Sequence, residues 1–374
     1  MQLFSAQYED LARLGARDRL RRLSPANGKD FSSNDYLALA GSDWLRAAGE
    51  AALHDGVAAG SGGSRLLRGN APEHEALEHA VAQQFGSEST LFFGSGFAAN
   101  SALFATLPQS GDLVVHDAFV HASAHDGMRH GRAETVAAAH NDASAFEDCI
   151  RAWRQGGGTG TPWIAVESLY SMDGDRAPLA DLAAIADRHD GILLIDEAHA
   201  TGVFGDRGEG LAGALEGRPN IIITRTLGKA LGCEGALICG PRIVRDFLIN
   251  RGRPFIFSTA PSPLMARIAM AALRNLEEEP QRRARLHALI AHAESRLSAV
   301  GVAPTGSQIM PLILGEDART MAAAQALQAA GFDIRGIRPP TVPAGTARLR
   351  ISLTLNVSTA EVDQLADILA DLPS

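Results

Sequence analysis

One lysine of this sequence stands where an amine could do chemistry. Of the 34 basic residues only two, Lys29 and Lys229, are lysines, and the other 32 are arginines. Lys229 lies between glycines in TLGKALG at 226–232, directly after the apolar run 220–224. A lysine at the carboxyl end of a strand can enter a site and form a Schiff base with a carbonyl compound. Lys29 lacks such surroundings, so Lys229 is the candidate for amine chemistry.

A carboxylate and an imidazole follow a second apolar run. Asp196 ends the run 192–195, and His199 comes three residues later. A carboxylate is costly to bury without a partner. Two interpretations are open: Asp196 is a helix cap or a buried salt-bridge partner, or it pairs with a cationic group of a ligand.

Two glycine-rich segments are candidates for binding an anion. Gly94-Ser95-Gly96 lies between an apolar strand pattern and an alanine-rich helical pattern. Backbone N–H groups at such a helix start can turn toward a phosphate, although the motif alone is a weak signal. The segment 60–64 lacks the spacing of a dinucleotide motif. It either brings flexible backbone to a ligand or makes a tight connection.

Taken together, these features indicate a cofactor. Glycine loop, Asp196 and Lys229 occur in the chain order expected of pyridoxal-phosphate enzymes. In such enzymes the loop anchors the phosphate, the aspartate keeps the pyridine nitrogen protonated and the lysine holds the aldehyde. The sequence therefore predicts pyridoxal 5'-phosphate as the cofactor.

Several other classes of protein are disfavoured. The formal net charge of −9 argues against a general nucleic-acid binder. The segment 195–199 resembles the acidic box of some helicases, but Ile223 and Ala230 stand where a P-loop needs its first glycine and its hydroxyl. His74 and His79 are five residues apart, which is wrong for a zinc-protease helix.

Cysteine content and hydropathy bear on location. Three cysteines without a C-x-x-C pair indicate neither a disulfide framework nor a metal site. No apolar run approaches the roughly 18 residues of a membrane span. We therefore expect a cytoplasmic protein that binds no metal and no membrane.

The elements that must position these residues follow from hydrophobic periodicity. Between 72 and 240, helical patterns at 73–85, 98–107, 143–154 and 179–189 alternate with bare apolar runs at 90–93, 113–116, 163–166, 192–195, 220–224 and 236–239. This predicts an α/β fold with a mostly parallel sheet, whose functional groups lie beyond the carboxyl ends of the strands. After Pro261 the pattern predicts a smaller α+β domain. We expect an N-terminal helix and arm over 1–45 that pack with the small domain, a large domain over 46–260 and a small domain over 261–374.

The chain also resembles a known family, the α-oxoamine synthases among the fold-type-I pyridoxal-phosphate transferases. The matching segments are FSSNDYLAL at 31–39, GSGGSRLLRGN at 60–70, SGFAAN at 95–100, ESLYSMDGD at 167–175, IDEAHATG at 195–202 and TLGKALG at 226–232. The segments at 60–67 and 338–350 are most similar to one member of the family.

The resemblance implies a role for each matching residue. Lys229 would hold the cofactor aldehyde, Asp196 would pair with the ring nitrogen, His199 would contact the ring oxygen and His121 would stack on the ring. The remaining residues are assigned as follows: Gly96, Phe97 and Thr226 bind phosphate, joined by Ser258 and Thr259 of the neighbouring subunit in a homodimer; Ser171 and Glu167 lie near the cofactor; Asn34 and Arg350 hold the amino-acid carboxylate; Arg21 and Thr341 line the acyl-donor side.

The reaction that the resemblance implies is a decarboxylative condensation of L-alanine with a pimeloyl thioester of coenzyme A or a carrier protein. A sister enzyme would instead condense glycine with another acyl-CoA and differ only in the acyl channel. The rival from a different class is a nucleotide-binding protein that uses the helicase-like segment. Two departures from the family pattern are Glu234 and Arg68, where small residues are expected.

Overall fold

The computed structural model describes residues 3–371. Its helices are α1 (Ser5–Ala16), α2 (Asp43–His54), α3 (Pro72–Phe85), α4 (Gly96–Thr106), α5 (Ala122–His130), α6 (Ala143–Gln155), α7 (Leu179–Arg188), α8 (Arg242–Arg251), α9 (Arg253–Ile256), α10 (Pro263–Glu278), α11 (Gln281–Leu297), α12 (Asp317–Ala329) and α13 (Thr359–Ala370). Short 3₁₀ turns lie at Gly213–Leu215 and Ser298–Val300.

The strands form three sheets. They are β1 (Lys29–Asp30), β2 (Ser89–Phe93), β3 (Leu113–Asp117), β4 (Glu134–Ala138), β5 (Pro162–Glu167), β6 (Ile192–Asp196), β7 (Ile221–Thr226), β8 (Ala236–Gly240), β9 (Ile309–Gly315), β10 (Phe332–Asp333), β11 (Arg335–Ile337) and β12 (Ala347–Ser352).

The central sheet has seven strands in the order β2-β8-β7-β6-β5-β3-β4. All pairs from β4 to β7 are parallel, and β8 runs antiparallel to both of its neighbours. The mostly parallel α/β sheet predicted from the sequence is thereby confirmed.

Burial explains why the bare apolar runs are strands. Every residue of β2, β3 and β5 is buried, as expected for strands covered on both faces. The predicted helical patterns correspond to α3, α4, α6 and α7. The prediction missed α5 and the edge strand β4, four of whose five residues are exposed or only partly buried. A solvent-facing edge strand carries no apolar run to be recognised.

Contacts divide the chain into two compact units. The larger unit comprises 37–171 and 176–283, and the smaller comprises 1–36, 172–175 and 284–374. Helix α10 packs on α2 and α3 within the larger unit. The main boundaries between these units lie at residues 36/37 and 283/284. The boundaries of the domains predicted from the sequence lie at 45/46 and 260/261. The predicted domain division stays a prediction.

The smaller unit has a three-stranded antiparallel sheet in the order β11-β12-β9. Helix α12 packs on it, and β1 pairs in parallel with β10. Residues 172–175 reach this unit from the end of β5, and Arg348 of β12 holds them by hydrogen bonds to Met172 O and the Asp173 carboxylate. The N-terminal segment is tied to the same unit by the Arg19–Asp317 ion pair, whereas α1 has no buried residue.

None of the helices within residues 3–371 combines the length and the hydropathy that crossing a bilayer requires.

A buried ion pair fixes the glycine-rich loop at 60–70 in the larger unit. Arg65 pairs with Glu78 of α3 at 2.9 Å, and both side chains are 6% exposed. Glu78 also accepts from the backbone N–H of Phe92 in β2, and the Arg65 guanidinium lies over the Phe255 ring. The loop is therefore bound to helix and sheet through one arginine.

Removing that arginine tests this arrangement. We expect Arg65→Ala to lower the free energy of unfolding by about 3–5 kcal/mol, because Glu78 would stay buried without its partner. Arg68→Ala, at an exposed position of the same loop, is the control and should change it by no more than about 0.5 kcal/mol. Urea titration of both variants measures the difference, and equal losses would contradict the structural role of the pair.

Candidate active site

The predicted site residues of the larger unit lie at the carboxyl edge of the central sheet. Glu167 ends β5 and is paired in register with Asp196 at the end of β6, which is paired in turn with Thr224 of β7. Parallel strands bring their carboxyl ends to one edge, which is why residues far apart in sequence meet there.

A cavity of about 360 Å³ opens at this edge. The residues that line it are Gly94, Ser95, Gly96, Phe97, Asn100, His121, Ser123, Glu167, Asp196, Ala198, His199, Thr226, Gly228, Lys229, Cys233, Glu234 and Gly235. The glycine loop, the carboxylate and the lysine that the sequence singled out thus surround one space.

Asp196 is half-buried, and two donors hold its carboxylate. The side-chain amide of Asn100 donates to Oδ2 at 2.7 Å, and the backbone N–H of Ala198 donates to Oδ1 at 2.9 Å. No ion pair of Asp196 occurs within 4 Å among the described residues, so the salt-bridge interpretation is not supported within the chain. A carboxylate fixed in this way is oriented to receive a cationic partner from the cavity.

The same amide connects Asp196 to His121. Asn100 Nδ2 also donates to Ser123 Oγ at 3.0 Å, and that hydroxyl lies 2.8 Å from His121 Nδ1. The backbone N–H of Ser123 donates to Nδ1 as well, at 3.2 Å. Nδ1 is therefore an acceptor, and the neutral ring carries its proton on Nε2. Burial, only partly offset by the Asp196 charge, lowers the pKa of His121 and favours this neutral form.

The turn that delivers His121 is fixed by Asp117 at the end of β3. Its fully buried carboxylate accepts from the N–H groups of Phe119 and Asn141 and from the His140 ring. Burial raises the pKa of Asp117, but these hydrogen bonds outweigh burial, and the net pKa is lowered. An ionised carboxylate thereby orders the loop before His121, which caps α5.

Lys229 and His199 are close neighbours in the cavity. Their Nζ and Nε2 atoms are 2.9 Å apart, and Lys229 is half-buried. An amine held half-buried in a cavity is suited to act as nucleophile and base.

The start of α4 makes the predicted anion site. Ser95 caps the helix by accepting from Ala98 N–H, and Gly96 is its first residue. A Cβ at Gly96 would come within 2.7 Å of Thr226 Cγ2. The close approach of the Thr226 methyl group to this N-terminus therefore requires glycine. The Thr226 hydroxyl donates to Ala198 O at 3.3 Å, and the N-terminus of a helix favours an anion.

Glu197 lies outside the cavity, between the lining residues Asp196 and Ala198 in sequence. Its buried carboxylate accepts from the N–H groups of Leu211 and Ala212 and does not line the cavity. Gly210 is required next to it, since φ is +89° and a Cβ would collide with Glu197 Oε2. Burial, partly offset by the Arg225 charge, raises the pKa of Glu197 to about 7. The Glu197 side chain therefore holds the backbone at residues 211 and 212.

Glu167 lies at the wall of the cavity and is 3% exposed. Its Oε2 accepts from Ser171 N–H at 3.1 Å, whereas Oε1 has no hydrogen-bond partner among the described residues. Burial and the neighbouring Asp196 charge raise the pKa of Glu167 to about 8. Glu167 is therefore a neutral acid at neutral pH that can donate a hydrogen bond into the cavity.

The predicted substrate residues lie in the smaller unit. Arg350 is 7% exposed and donates to Ser352 Oγ at 2.6 Å and to Asn34 Oδ1 at 3.1 Å. Arg21 donates to Thr341 Oγ1 at 3.2 Å. Both predicted pairs, more than 300 residues apart in sequence, are brought together.

Other predicted residues lie outside the cavity or at its rim. Ser258 and Thr259 are exposed and do not line the cavity of their own chain. Phe97 lines it but is 48% exposed. Ser171 is not among the lining residues, and its backbone N–H donates to Glu167, which is. Glu234 is an exposed residue at its rim, and Arg68 is exposed away from it.

Two residues of the hydrogen-bond network were not assigned from the sequence. Asn100 stands four residues after Gly96, one turn along the same helix face, and that spacing was the available signal. Ser123, two residues after His121, gave no signal, because its role depends on Asn100 of another helix.

The raised pKa of Glu167 gives a stability prediction for the protein freed of any cofactor. An exposed glutamate loses its proton near its ordinary pKa of 4.5, but folded Glu167 keeps it until about pH 8. Folding therefore takes up a proton between these values, and stability falls as the pH rises, by up to roughly 1.4 kcal/mol per pH unit.

We expect the Glu167→Gln variant to lack this contribution to the slope of the free energy of unfolding against pH between pH 5 and 8. The comparison is made by urea titration at several pH values. The control is Glu134→Gln at an exposed position of β4, which should keep the wild-type slope. If the free energies of unfolding of wild type and Glu167→Gln had the same slope against pH, the assignment of a proton to Glu167 would be refuted.

Known proteins resemble the chain along most of its length. A family described as aminotransferase class I and II matches residues 27–369. An 8-amino-7-oxononanoate synthase of Anaeromyxobacter dehalogenans (strain 2CP-1) is 42% identical over 98% of this chain and 96% of its own.

Solved structures share the fold. A serine palmitoyltransferase from S. paucimobilis with a bound PLP–myriocin aldimine has a TM-score of 0.86 and 27% identity, over 99% of this chain and 98% of that one. The 8-amino-7-oxononanoate synthase from Francisella tularensis has a TM-score of 0.78 and 28% identity, over 92% of this chain and 97% of that one.

These matches span nearly the whole chain. The chain belongs to the aminotransferase class I and II family and, within it, to the group of enzymes that includes the 8-amino-7-oxononanoate synthases.

Proposed function

We propose that this chain is a pyridoxal-phosphate acyltransferase that condenses L-alanine with a pimeloyl thioester. The products are 8-amino-7-oxononanoate, CO₂ and the free thiol, in the synthesis of biotin. The observation that carries the proposal is that Lys229, Asp196 and the N-terminus of α4 line one cavity. The relatives that match along nearly the whole chain support the choice of reaction.

The residues present fit pyridoxal phosphate. Gly96, at the N-terminus of α4, and Thr226, whose methyl group packs on it, both line the cavity and suit the phosphate. The Asp196 carboxylate is oriented by two donors and suits a protonated ring nitrogen. Lys229 suits the aldehyde, and His199 beside it suits the ring oxygen. The orphaned Oε1 of buried Glu167 supplies a further polar atom in the same wall.

The bound cofactor supplies an electron sink for the carbon next to the amine. Lys229 then acts as the base that takes the Cα proton of alanine, since its amine is the one in the cavity. The conjugate acid of Lys229 returns a proton to the same carbon after CO₂ has left. His199, 2.9 Å away, orients the amine for both transfers.

His121 is a hydrogen-bond donor for the acyl transfer. Its Nδ1 accepts from Ser123, so Nε2–H is available as the donor. The neutral ring, favoured by the lowered pKa, can donate this hydrogen bond to the thioester carbonyl oxygen as negative charge develops on it.

The smaller unit would bind the polar ends of the substrates. Arg350, oriented by Ser352 and Asn34, presents a guanidinium that suits the carboxylate of the amino acid. Arg21 and Thr341 form a polar pair that suits the acyl donor.

We also propose a homodimer in which Ser258 and Thr259 serve the partner's phosphate site. Large apolar side chains are exposed near them: Leu66, Leu67 and Phe257 are 51%, 81% and 71% exposed. The loop of Leu66 and the segment of Ser258 are joined by the hydrogen bond from Ala260 N–H to Gly63 O. Exposed apolar clusters of this kind favour a subunit interface. The cytoplasmic location expected from the sequence stays a prediction.

Lysine chemistry gives the sharpest test of the site. We expect the purified wild type to be yellow and borohydride reduction to attach pyridoxal to Lys229, as read by peptide mass spectrometry. Lys229→Ala should lose this label and lower kcat by at least roughly 1000-fold, because it removes both nucleophile and base. The control, Lys29→Ala, lies in the smaller unit, where Lys29 contacts Phe332 and Gln364, and should keep both properties. A label on Lys29 would overturn the assignment.

The amino acid distinguishes this function from that of a sister synthase. We expect turnover of pimeloyl-CoA with L-alanine and release of free thiol, and a kcat/KM with glycine at least about tenfold lower, the discrimination that one methyl group allows. Product formation is followed by mass spectrometry. Preference for glycine together with another acyl-CoA would favour the sister reaction and leave the cofactor site intact.

A further inference from the structure

The two residues proposed to serve the partner's phosphate site lie between buried neighbours. Ser258 and Thr259 are exposed, whereas Phe255 before them and Ala260 after them are buried. The backbone N–H of Ala260 donates to Gly63 O at 2.9 Å. The position of Ser258 and Thr259 therefore depends on what holds the chain on either side of them.

His74 of α3 binds the chain two residues beyond Thr259. Its side chain is fully buried, and Nε2 lies 2.7 Å from Pro261 O. A carbonyl oxygen only accepts, so Nε2 carries the proton of the neutral ring. Nδ1 is then an acceptor, and the backbone N–H of Ala71 donates to it at 3.1 Å. Burial, only partly offset by the hydrogen bond to Pro261 O, lowers the pKa of His74 and favours this neutral form.

The carbonyl group of Pro261 receives a second donor from the glycine-rich loop. Ser61 Oγ donates to the same oxygen as His74. The next residue, Ser262, donates from its Oγ to Ala59 O at 2.7 Å. Helix α3 packs on β2 and α10, so His74 links Pro261 to the packed interior, whereas Ser61 links it to the loop. The chain after the exposed pair is therefore held by a helix as well as by a loop.

We propose that His74 is a positioning residue for the cofactor of the other subunit. Through Pro261 O it holds Ser258 and Thr259 where they reach the phosphate bound by the partner. The inference rests on the homodimer of the proposed function. Of the two ring nitrogens, Nε2 performs this role, whereas Nδ1 caps the start of α3. The histidine of one chain thus affects the cofactor held by Lys229 of the other.

Two substitutions separate the roles of the two ring nitrogens. In His74→Gln the side-chain amide N–H lies near the former Nε2 and can still donate to Pro261 O. In His74→Asn the amide oxygen lies near the former Nδ1 and can still accept from Ala71, but the shorter side chain no longer reaches Pro261 O. Each variant therefore keeps one of the two hydrogen bonds and loses the other.

The measurement is the rate at which the diluted holoenzyme loses its cofactor, followed by its visible absorbance. We expect His74→Asn to lose it about tenfold faster than the wild type, the factor that one weakened hydrogen bond to an anion supplies. His74→Gln should stay within about twofold of the wild type, since it keeps the bond to Pro261 O. His79→Asn, at an exposed position of the same helix, is the control. Equal rates for the Gln and Asn variants of His74 would overturn the proposal.

A second variant leaves α3 intact and covers the case in which His74→Asn does not fold. Ser61→Ala removes the other donor to Pro261 O, and we expect it to accelerate cofactor loss about threefold, as for one neutral hydrogen bond. An unchanged rate in Ser61→Ala would show that the position of Pro261 O does not control cofactor retention, and the proposal would be rejected.

Mixed dimers test the action of His74 on the other subunit. The two chains are co-expressed with different affinity tags, and one of them carries Lys229→Ala, so that the visible absorbance reports only the site of the chain that keeps Lys229. With His74→Asn on the Lys229→Ala chain, the reporting site receives the altered segment and should lose cofactor about tenfold faster than the mixed dimer without His74→Asn. With His74→Asn on the chain that keeps Lys229, the rate should not change.

The order of these two rates decides between the proposal and a structural role within one chain. A structural role would speed cofactor loss from the chain that carries His74→Asn, and equal or reversed rates would overturn the proposal. A monomeric holoenzyme in sedimentation would reject the dimer and this inference with it, while turnover of L-alanine with pimeloyl-CoA would still support the reaction. The expected order of rates without that turnover would reject only the reaction.

Discussion

Asp196 brings a carboxylate to the end of β6, the middle strand of a sheet whose inner strands are apolar and buried. Such a charge costs several kcal/mol unless donors compensate it. The donors here are Asn100 of α4 and the backbone of Ala198. Asn100 also donates to Ser123, which in turn holds His121. The residue that compensates the Asp196 charge therefore also positions His121.

The same constraint sets the protonation of the neighbouring carboxyl groups. Glu167 lies beside Asp196 in register and keeps its proton, because it is buried and has one N–H donor against the two donors of Asp196. Glu197 follows Asp196 in the sequence, and its side chain points away from the cavity. Its carboxylate accepts hydrogen bonds from the backbone N–H groups of residues 211 and 212. The three acidic residues at this sheet edge thus differ in what they can do. Asp196 is oriented to receive a cation, Glu167 can donate a hydrogen bond, and Glu197 holds the backbone at residues 211 and 212.

Arginine has two different roles in this molecule. Arg65 and Arg348 are buried and paired with carboxylates, and they hold the loop 60–70 and the segment 172–175 in place. Arg350 is also buried, and its guanidinium donates hydrogen bonds to the side-chain oxygens of Asn34 and Ser352.

The sequence by itself determined the parallel sheet and most of its helices, and it singled out Lys229 as the candidate for amine chemistry. These follow from local signals: apolar runs, helical periodicity, glycines at strand ends and the scarcity of lysine. Only the tertiary structure decided that Asn100 and Ser123 join Asp196 to His121, and that Glu167 keeps its proton. Those properties depend on strand order and on contacts between residues about 20 to 100 positions apart, which no local pattern encodes.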